Sequence, residues 1–297
     1  MIGKFLPKSL KKEIKKTKLW KLNNARSLSG NAKRLDLCAA QMAHVLHLAN
    51  FPGKPVAEKN CLEMGSGWVL THALVLHLLG AQKVIATDVE NNASPQFIKR
   101  SIEKSIPSVV RDILSPFEDH GRLRERLNRL LAIDQFSFDV LKGLGIEYIA
   151  PVDMTKFQYE NKIDAVFSFS VLEHVPAKDI DPIFDNLLKI TSGHGFMIHS
   201  IHLEDHADFQ FHPLRFLTVP NEKYDEHCET ERGNRIRASQ WKDLIQKLEN
   251  SNSKVLYEFQ RDAELLPKTI DPSIKYTDEN DLRTSHLGVL VEKNLRE

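Results

Sequence analysis

Cys61-Leu-Glu-Met-Gly-Ser-Gly67 decides how this chain is read. A short apolar stretch delivers an acid, Glu63, into a turn formed by Gly65, Ser66 and Gly67. From Trp68 to Leu79 apolar residues recur at helical spacing, and Gly80 stops the run. A second apolar stretch, Lys83-Val-Ile-Ala-Thr87, ends on Asp88 and Val89. The order is strand, glycine turn, helix, strand and acid. Glycine is the residue that lets backbone approach a ligand closely.

An acid about 20 residues beyond a glycine turn, at the tip of the next strand, is placed to accept hydrogen bonds from ribose hydroxyls. The ligand class narrows by exclusion. A dinucleotide fingerprint needs a third glycine where Leu70 stands, and a phosphate-binding Walker loop needs a Gly-Lys-Ser/Thr that does not follow the turn. Glu63, two residues before the first glycine, repels a pyrophosphate and attracts a cation. S-adenosyl-L-methionine carries an ammonium and a sulfonium beside its ribose, which suits that charge.

Three further stretches follow in order. Val152-Asp153-Met154 follows the region of the third strand. Ile163-Asp-Ala-Val-Phe-Ser-Phe-Ser-Val-Leu-Glu-His-Val175 reads as a fourth strand and its exit, and Phe196 to Ile201 as a fifth strand. Residues 60–200 thereby resemble the class I S-adenosylmethionine-dependent methyltransferases, whose first motif runs E/D-x-G-x-G and whose fourth strand often exits as S-x-L-E-H-V/I. Val69 stands where the family has a further glycine. The resemblance implies an α/β, Rossmann-like three-layer sandwich with a seven-stranded, mostly parallel sheet and one antiparallel strand. It implies Glu63, Gly65, Ser66, Gly67, Asp88, Val89, Asp153, Met154 and Ser170 as residues that hold the cofactor.

The 297 residues, 27% charged and 41% hydrophobic, suit a globular chain with one substantial core. No apolar run approaches the roughly 18 residues of a membrane span, and Met1 to Pro7, followed by lysines, lacks a signal-peptide core. Cys38, Cys61 and Cys228 are too few and scattered for a disulfide framework or zinc cluster, so a reducing cytoplasm is expected. The formal charge of +1 conceals an asymmetry: residues 1–34 hold eleven Lys and Arg against Glu13 alone. Lys8 to Lys21 reads as a basic helix. It can rest on an anionic membrane surface at the inner face or on an acidic polymer, dock on the acidic body, or stay solvated.

Residues 1–55 read as a basic helical extension with a helix over 31–50, ended by Phe51-Pro-Gly-Lys-Pro55. Residues 56–297 read as the methyltransferase domain. A helix is expected from Ser94-Pro95, and residues 107–143 form a long helical insertion expected to cap the substrate edge. Its arginines, at 111, 122, 124, 126 and 129, either hold an anionic acceptor or alternate with acids on a solvated face. A helix over Asp181–Ile190, one from Ser239 or Ala238, and strands at Lys254–Phe259 and His286–Glu292 complete the expected order.

Methyl transfer from a sulfonium is an in-line displacement, in which positioning supplies most of the rate. A hydroxyl acceptor also needs a base, and histidine is the natural one near neutral pH. His174, His199, His202, His206 and His212 are the candidates. His174 leaves the fourth strand where the family places the methyl. His202-Leu-Glu-Asp-His206 nearly spells H-x-x-E-H, but following a strand it reads as a base with its orienting carboxylate, His206 or His202 with Asp205 or Glu204. No metal site is assigned, although an ion on Asp205 and its neighbouring histidines remains an open alternative. The stretch from Ile198 through Pro213-Leu-Arg-Phe-Leu217 to Asn234-Arg-Ile-Arg-Ala-Ser-Gln-Trp241 resembles a bacterial branch associated with surface-polysaccharide or other small-molecule modification. That resemblance implies Arg215, Arg235 and Arg237 as acceptor-pocket residues.

The expected activity is methyl transfer to a small-molecule or saccharide acceptor, through a hydroxyl. Nucleic acid is not expected as a partner. Amine methylation of a base normally brings N/D-P-P-Y/F at the fourth-strand exit, where this chain has Ser168-Phe-Ser-Val171, and the basic arm lacks aromatic platforms apart from Trp20. The alternatives are a non-catalytic cofactor-binding partner or scaffold subunit, and a methyltransferase acting on nucleic acid or protein. Oligomeric state is not encoded in any of these features.

Overall fold

The computed structural model describes residues 13–15, 17–206, 210–228 and 233–294. Seven strands form one sheet: β1 (Asn60–Met64), β2 (Lys83–Thr87), β3 (Ile146–Ile149), β4 (Ile163–Phe169), β5 (Thr191–His202), β6 (Ser251–Gln260) and β7 (Thr284–Lys293). Their order is β3-β2-β1-β4-β5-β7-β6. β4 runs parallel to β1 and β5, with Cys61 opposite Ala165 and Val166 opposite Met197, while β7 is antiparallel to both β5 and β6. This is the Rossmann-like α/β sheet with one reversed strand that the sequence implies. Strand order turns back between β1 and β4, and such switch points are where open α/β sheets bind ligands.

Packing divides the chain into two compact units. The first comprises the stretches up to residue 47, 51–59 and 66–151; the second comprises 48–50, 60–65 and residues from 152 onward. In the first unit lie α1 (Lys18–Gly30), most of α2 (Leu35–Ala49), α3 (Thr71–Leu78), α4 (Pro95–Glu103), α5 (Pro107–Leu114), α6 (His120–Leu131) and α7 (Phe138–Gly143). The N-terminal helices therefore share a unit with β2 and the glycine turn. α1 packs on α4 through Ala25, Val69 and Phe97, and Trp20 meets Trp68 edge-on at 6.3 Å. Such an aromatic pair contributes about 0.5–1.5 kcal/mol beyond its buried area. The expected basic helix over Lys8–Lys21 overlaps α1 only at residues 18–21, because Thr17 caps a new helix there; residues 1–12 and 16 lie outside the described residues.

α3 departs from its expected form. The run from Trp68 was expected to be helical throughout, yet the helix starts at Thr71, because Gly67 and Leu70 take φ of 64° and 48° and prolong the turn. The helix is buried from Thr71 through Leu76 and again at Leu78, so its apolar spacing reflects enclosure on all sides rather than one stripe.

The insertion is helical, as its leucine spacing implies, and two of its five arginines, Arg126 and Arg129, are paired. Arg126 donates to the carbonyl of Leu78 at 2.9 Å and to Glu118 at 2.8 Å, and Lys54 also bonds Glu118. Burial opposes the charge on Glu118, yet these bonds hold its carboxyl below the usual range. The anchor lies beside Gly80, at the amino end of β2 and opposite to Asp88. Arg129 pairs with Glu125 on the same helix. The start of α7 reaches the end of β3: Phe138 stacks on Tyr148 at 5.2 Å, and the Tyr148 hydroxyl donates to the Glu90 carbonyl.

The second unit contains β1, β4 to β7, α8 (Ala177–Ile190), α9 (Asn221–Cys228), α10 (Ala238–Gln246) and α11 (Glu279–Arg283). α8 begins four residues before the expected Asp181, with Pro182 inside it. Pro182 lies past the first turn, so it lacks the N–H that would bond the Lys178 carbonyl and costs the helix one hydrogen bond. β5 begins at Thr191 rather than Phe196, with a register shift against β4 between Ile163 and Ala165. A satellite core of Leu214, Phe216, Leu217, Ile274 and Leu282 closes the region after β5. Cys38 and Cys61 are buried free thiols. Among the described residues, no helix is long and apolar enough to cross a membrane.

Candidate active site

In the first unit, the glycine turn is tied to β2 by two bonds. The Ser66 amide donates to the Thr87 carbonyl at 2.9 Å, and the Gly67 amide donates to the Asp88 carboxylate at 2.7 Å. The other carboxylate oxygen of Asp88 accepts the Glu90 amide at 3.1 Å. A Cβ on Gly67 would meet nothing within 4 Å, so the backbone there faces open space. Val89 is 74% exposed beside it.

In the second unit, β1 delivers Glu63 buried at 2% exposure, followed by Gly65 at φ 77°. A Cβ on Gly65 would lie 2.3 Å from the Val171 side chain, so β4's exit passes directly over Gly65. Ser170 sits at that exit, exposed, with φ 56° and its amide bonded to the Ser200 carbonyl. Asp153 is exposed and accepts both the hydroxyl (2.6 Å) and the amide (3.0 Å) of Thr155; these bonds, the hydroxyl first, hold its carboxyl below the usual range. Met154 is buried, and Asn186 donates to its carbonyl.

The exit of β4 continues as a 3-10 turn, Leu172–His174. Asn234 straps it: its side-chain amide donates to the carbonyls of Leu172 and Val175, each at 2.8 Å. The Gly233 amide donates to the Glu173 carbonyl at 2.9 Å, and a Cβ on Gly233 would strike the His174 backbone at 2.0 Å. This strap fixes Glu173 inward at 0% exposure and His174 outward.

Around that turn the unit gathers four imidazoles and two buried carboxylates. His174 and His206 pack edge-on at 4.7 Å, His206 and His202 stack at 4.5 Å, and His202 and His286 stack at 4.4 Å. His206 Nε2 lies 3.6 Å from Glu173 Oε1, and His202 Nε2 donates to Glu204 Oε2 at 2.8 Å. Arg261 also bonds Glu204. Burial opposes ionisation of Glu204, but the bonds from His202 and Arg261 outweigh it and keep the carboxyl below its ordinary value. Burial, reinforced by the neighbouring His202, pushes His286 down to about 4. The sequence reading paired the histidines with Asp205 or Glu204; Glu204 orients His202, and the amide of buried Asp205 donates to the Pro213 carbonyl.

Several expected site residues serve the scaffold. His199 is fully buried, bonded to Ser168 at 2.8 Å, and burial pushes it to about 4, so it is a core residue. Arg237 is 0% exposed and donates to the carbonyls of Leu203, Asp281, Leu282 and Thr284, which corrects its expected place in an acceptor pocket. Arg235 lies 4.1 Å over the Tyr224 ring and bonds Val219, Asn221 and Ser273. Arg215 and His212 are exposed. Residues not singled out as site candidates are Glu173, Asn234 and His286. His286 faces His202 across the antiparallel β5–β7 pair, a relation visible only once register is known. A groove of about 900 Å³ is lined by His174, Tyr224, Asn234, Arg235 and Ile274 among others.

No family model and no curated protein matches this chain. Solved structures do match it. The N-methyltransferase NodS from Bradyrhizobium japonicum, in complex with S-adenosyl-L-homocysteine, is 12% identical over 86% of this chain and 85% of its own, with a TM-score of 0.41. Magnesium protoporphyrin IX methyltransferase from Synechocystis, with the same product bound, is 11% identical over 86% and 81%, at 0.43. The YcgJ protein from Bacillus is 10% identical over 86% and 99%, at 0.45.

Proposed function

We propose that this chain binds S-adenosyl-L-methionine and transfers its methyl group to a hydroxyl of a small-molecule or saccharide acceptor. The observation that carries the reading is the Gly67 turn: open space above its backbone, with the Asp88 carboxylate bonded to its amide. A ligand backbone or ribose can approach there without meeting a side chain, and Asp88 retains lone pairs for a ribose diol. Glu63 and Gly65 complete the motif, the buried acid suiting a cation rather than a pyrophosphate. Ser66, Val89, Asp153, Met154 and Ser170 are proposed to line the remainder of the cofactor.

Held by these residues, the cofactor would supply an electrophilic methyl on a sulfonium, with a neutral thioether as the leaving group. The chain's own part is orientation and proton removal. His174, held outward by the Asn234 strap and lining the groove, takes the acceptor proton. His206, packed edge-on against it, and His202, oriented by Glu204, support that base; Asp205 fixes the loop through Pro213.

The test is incubation of the full chain with methyl-labelled cofactor and pools of nucleotide sugars, oligosaccharides, small hydroxylic compounds, proteins and RNA. Label in a saccharide or small molecule, lost in His174→Ala, supports the proposal. Label in protein or RNA moves the acceptor to a macromolecule, and cofactor binding without transfer to any pool favours a non-catalytic partner.

A further inference from the structure

We propose that Glu173, His202 and His206 form a binding site for one divalent transition-metal ion. One ligand atom from each of the three lies within 4.8 Å of the others. Two imidazoles and a carboxylate are the donor set of catalytic zinc sites and of open iron(II) sites; magnesium and calcium take oxygen donors instead. Ligand bonds of about 2.0–2.2 Å set neighbouring donors roughly 3.3 Å apart in a tetrahedral site. His206 Nε2 and Glu173 Oε1 are at 3.6 Å already.

The parts are held before any ion arrives. Glu173 rides on the turn strapped by Gly233 and Asn234, and its side chain is fully buried against His206. His202 ends β5, locked between the rings of His206 and His286. His206 is partly exposed, which gives an ion a path from solvent. Glu204 completes the arrangement from outside: bonded to His202, it is the carboxylate that orients a ligating imidazole.

A second triad, His202, Glu204 and His286, also brings its ligand atoms within 4.8 Å. The Arg261 guanidinium on Glu204 argues against it, since a fixed cation there repels another. The sequence alternative of an ion on Asp205 is replaced by one on Glu173. Next to His174, a bound ion would polarise an acceptor hydroxyl, and only this consequence rests on the methyl-transfer reading; ion binding does not.

The experiment titrates the chelator-stripped full chain with Zn²⁺ and Co²⁺ by calorimetry, with the Co²⁺ visible spectrum reporting coordination. S-adenosylhomocysteine is titrated into the same samples. One ion per chain is expected, with affinity falling at least 100-fold in His206→Asn and Glu173→Gln, and 10- to 100-fold in Glu204→Gln. His206→Asn alters a partly exposed side chain, and an unchanged melting temperature certifies its fold. Absence of stoichiometric uptake by the unaltered chain overturns the site. So does unchanged affinity in folded His206→Asn and Glu173→Gln, or a loss confined to Glu204→Gln and His286→Asn. Product binding without ion uptake sinks the metal site alone, and ion uptake without product binding sinks the cofactor reading alone.

Discussion

The backbone amide of Gly67 donates to the carboxylate of Asp88 at 2.7 Å. One side chain thus closes the glycine turn and, in the proposed function, accepts the ribose hydroxyls. Asp88→Ala removes both roles. It is expected to weaken S-adenosylhomocysteine binding by about 1–3 kcal/mol, the scale of losing bonds to a charged acceptor. Asp88→Asn, which keeps an acceptor oxygen, should lose less. Equal calorimetric affinities for Asp88→Ala and the unaltered chain would refute the assignment.

Gly65 lies under Val171, and its φ of 77° is left-handed. Gly65→Ala therefore overpacks the turn, at about 1–3 kcal/mol, and adds about 1–2 kcal/mol of backbone strain. Val171→Ala in the same chain should recover the first cost and leave the second. Denaturant unfolding of the single and double variants measures this coupling, and strictly additive losses would count against the contact.

Arg237 serves four main-chain carbonyls in a fully buried setting. Arg237→Leu strands them, so a loss of at least about 3 kcal/mol is expected from several unsatisfied buried acceptors. Arg235→Ala also removes packing on Tyr224, but at a less enclosed position, and should cost less. If Arg237→Leu unfolds within about 1 kcal/mol of the unaltered chain, the guanidinium is not a scaffold element.

His199 is neutral and buried, with its pKa pushed down from 6.5 to about 4. Below pH 6.5 the unfolded chain takes up a proton that the folded chain refuses, so stability falls with pH until about 4. The slope approaches about 1.4 kcal/mol per pH unit for one such group. His77, lowered to about 4 by burial and then by Arg126, adds to the same window. Replacing His199 with Asn should flatten the fall between pH 6 and 4.5, as read from denaturant midpoints. An identical pH profile for variant and unaltered chain would contradict this.

The sheet and its glycine turn were legible because they depend on local pattern: apolar strands of about five residues, glycines where φ turns positive, and an acid at a strand tip. The boundary of α3 was not, because Leu70 takes a left-handed φ that its residue type does not advertise. The histidine cluster was half legible. His174, His202 and His206 are near in sequence to strand ends, whereas Glu173 reads as one letter of a motif and His286 joins only through β5–β7 register. Arg237 illustrates the converse limit. An arginine in a loop-rich stretch looks like a ligand-binding group, and only burial and partners show that it serves main-chain carbonyls.

The most direct test is a calorimetric titration of the full chain with S-adenosylhomocysteine, run beside NAD⁺. The account predicts one product-binding site per chain, weakened about tenfold or more by Asp88→Ala, and no heat from the dinucleotide. A flat titration with the product, or saturable binding of NAD⁺ instead, would contradict it.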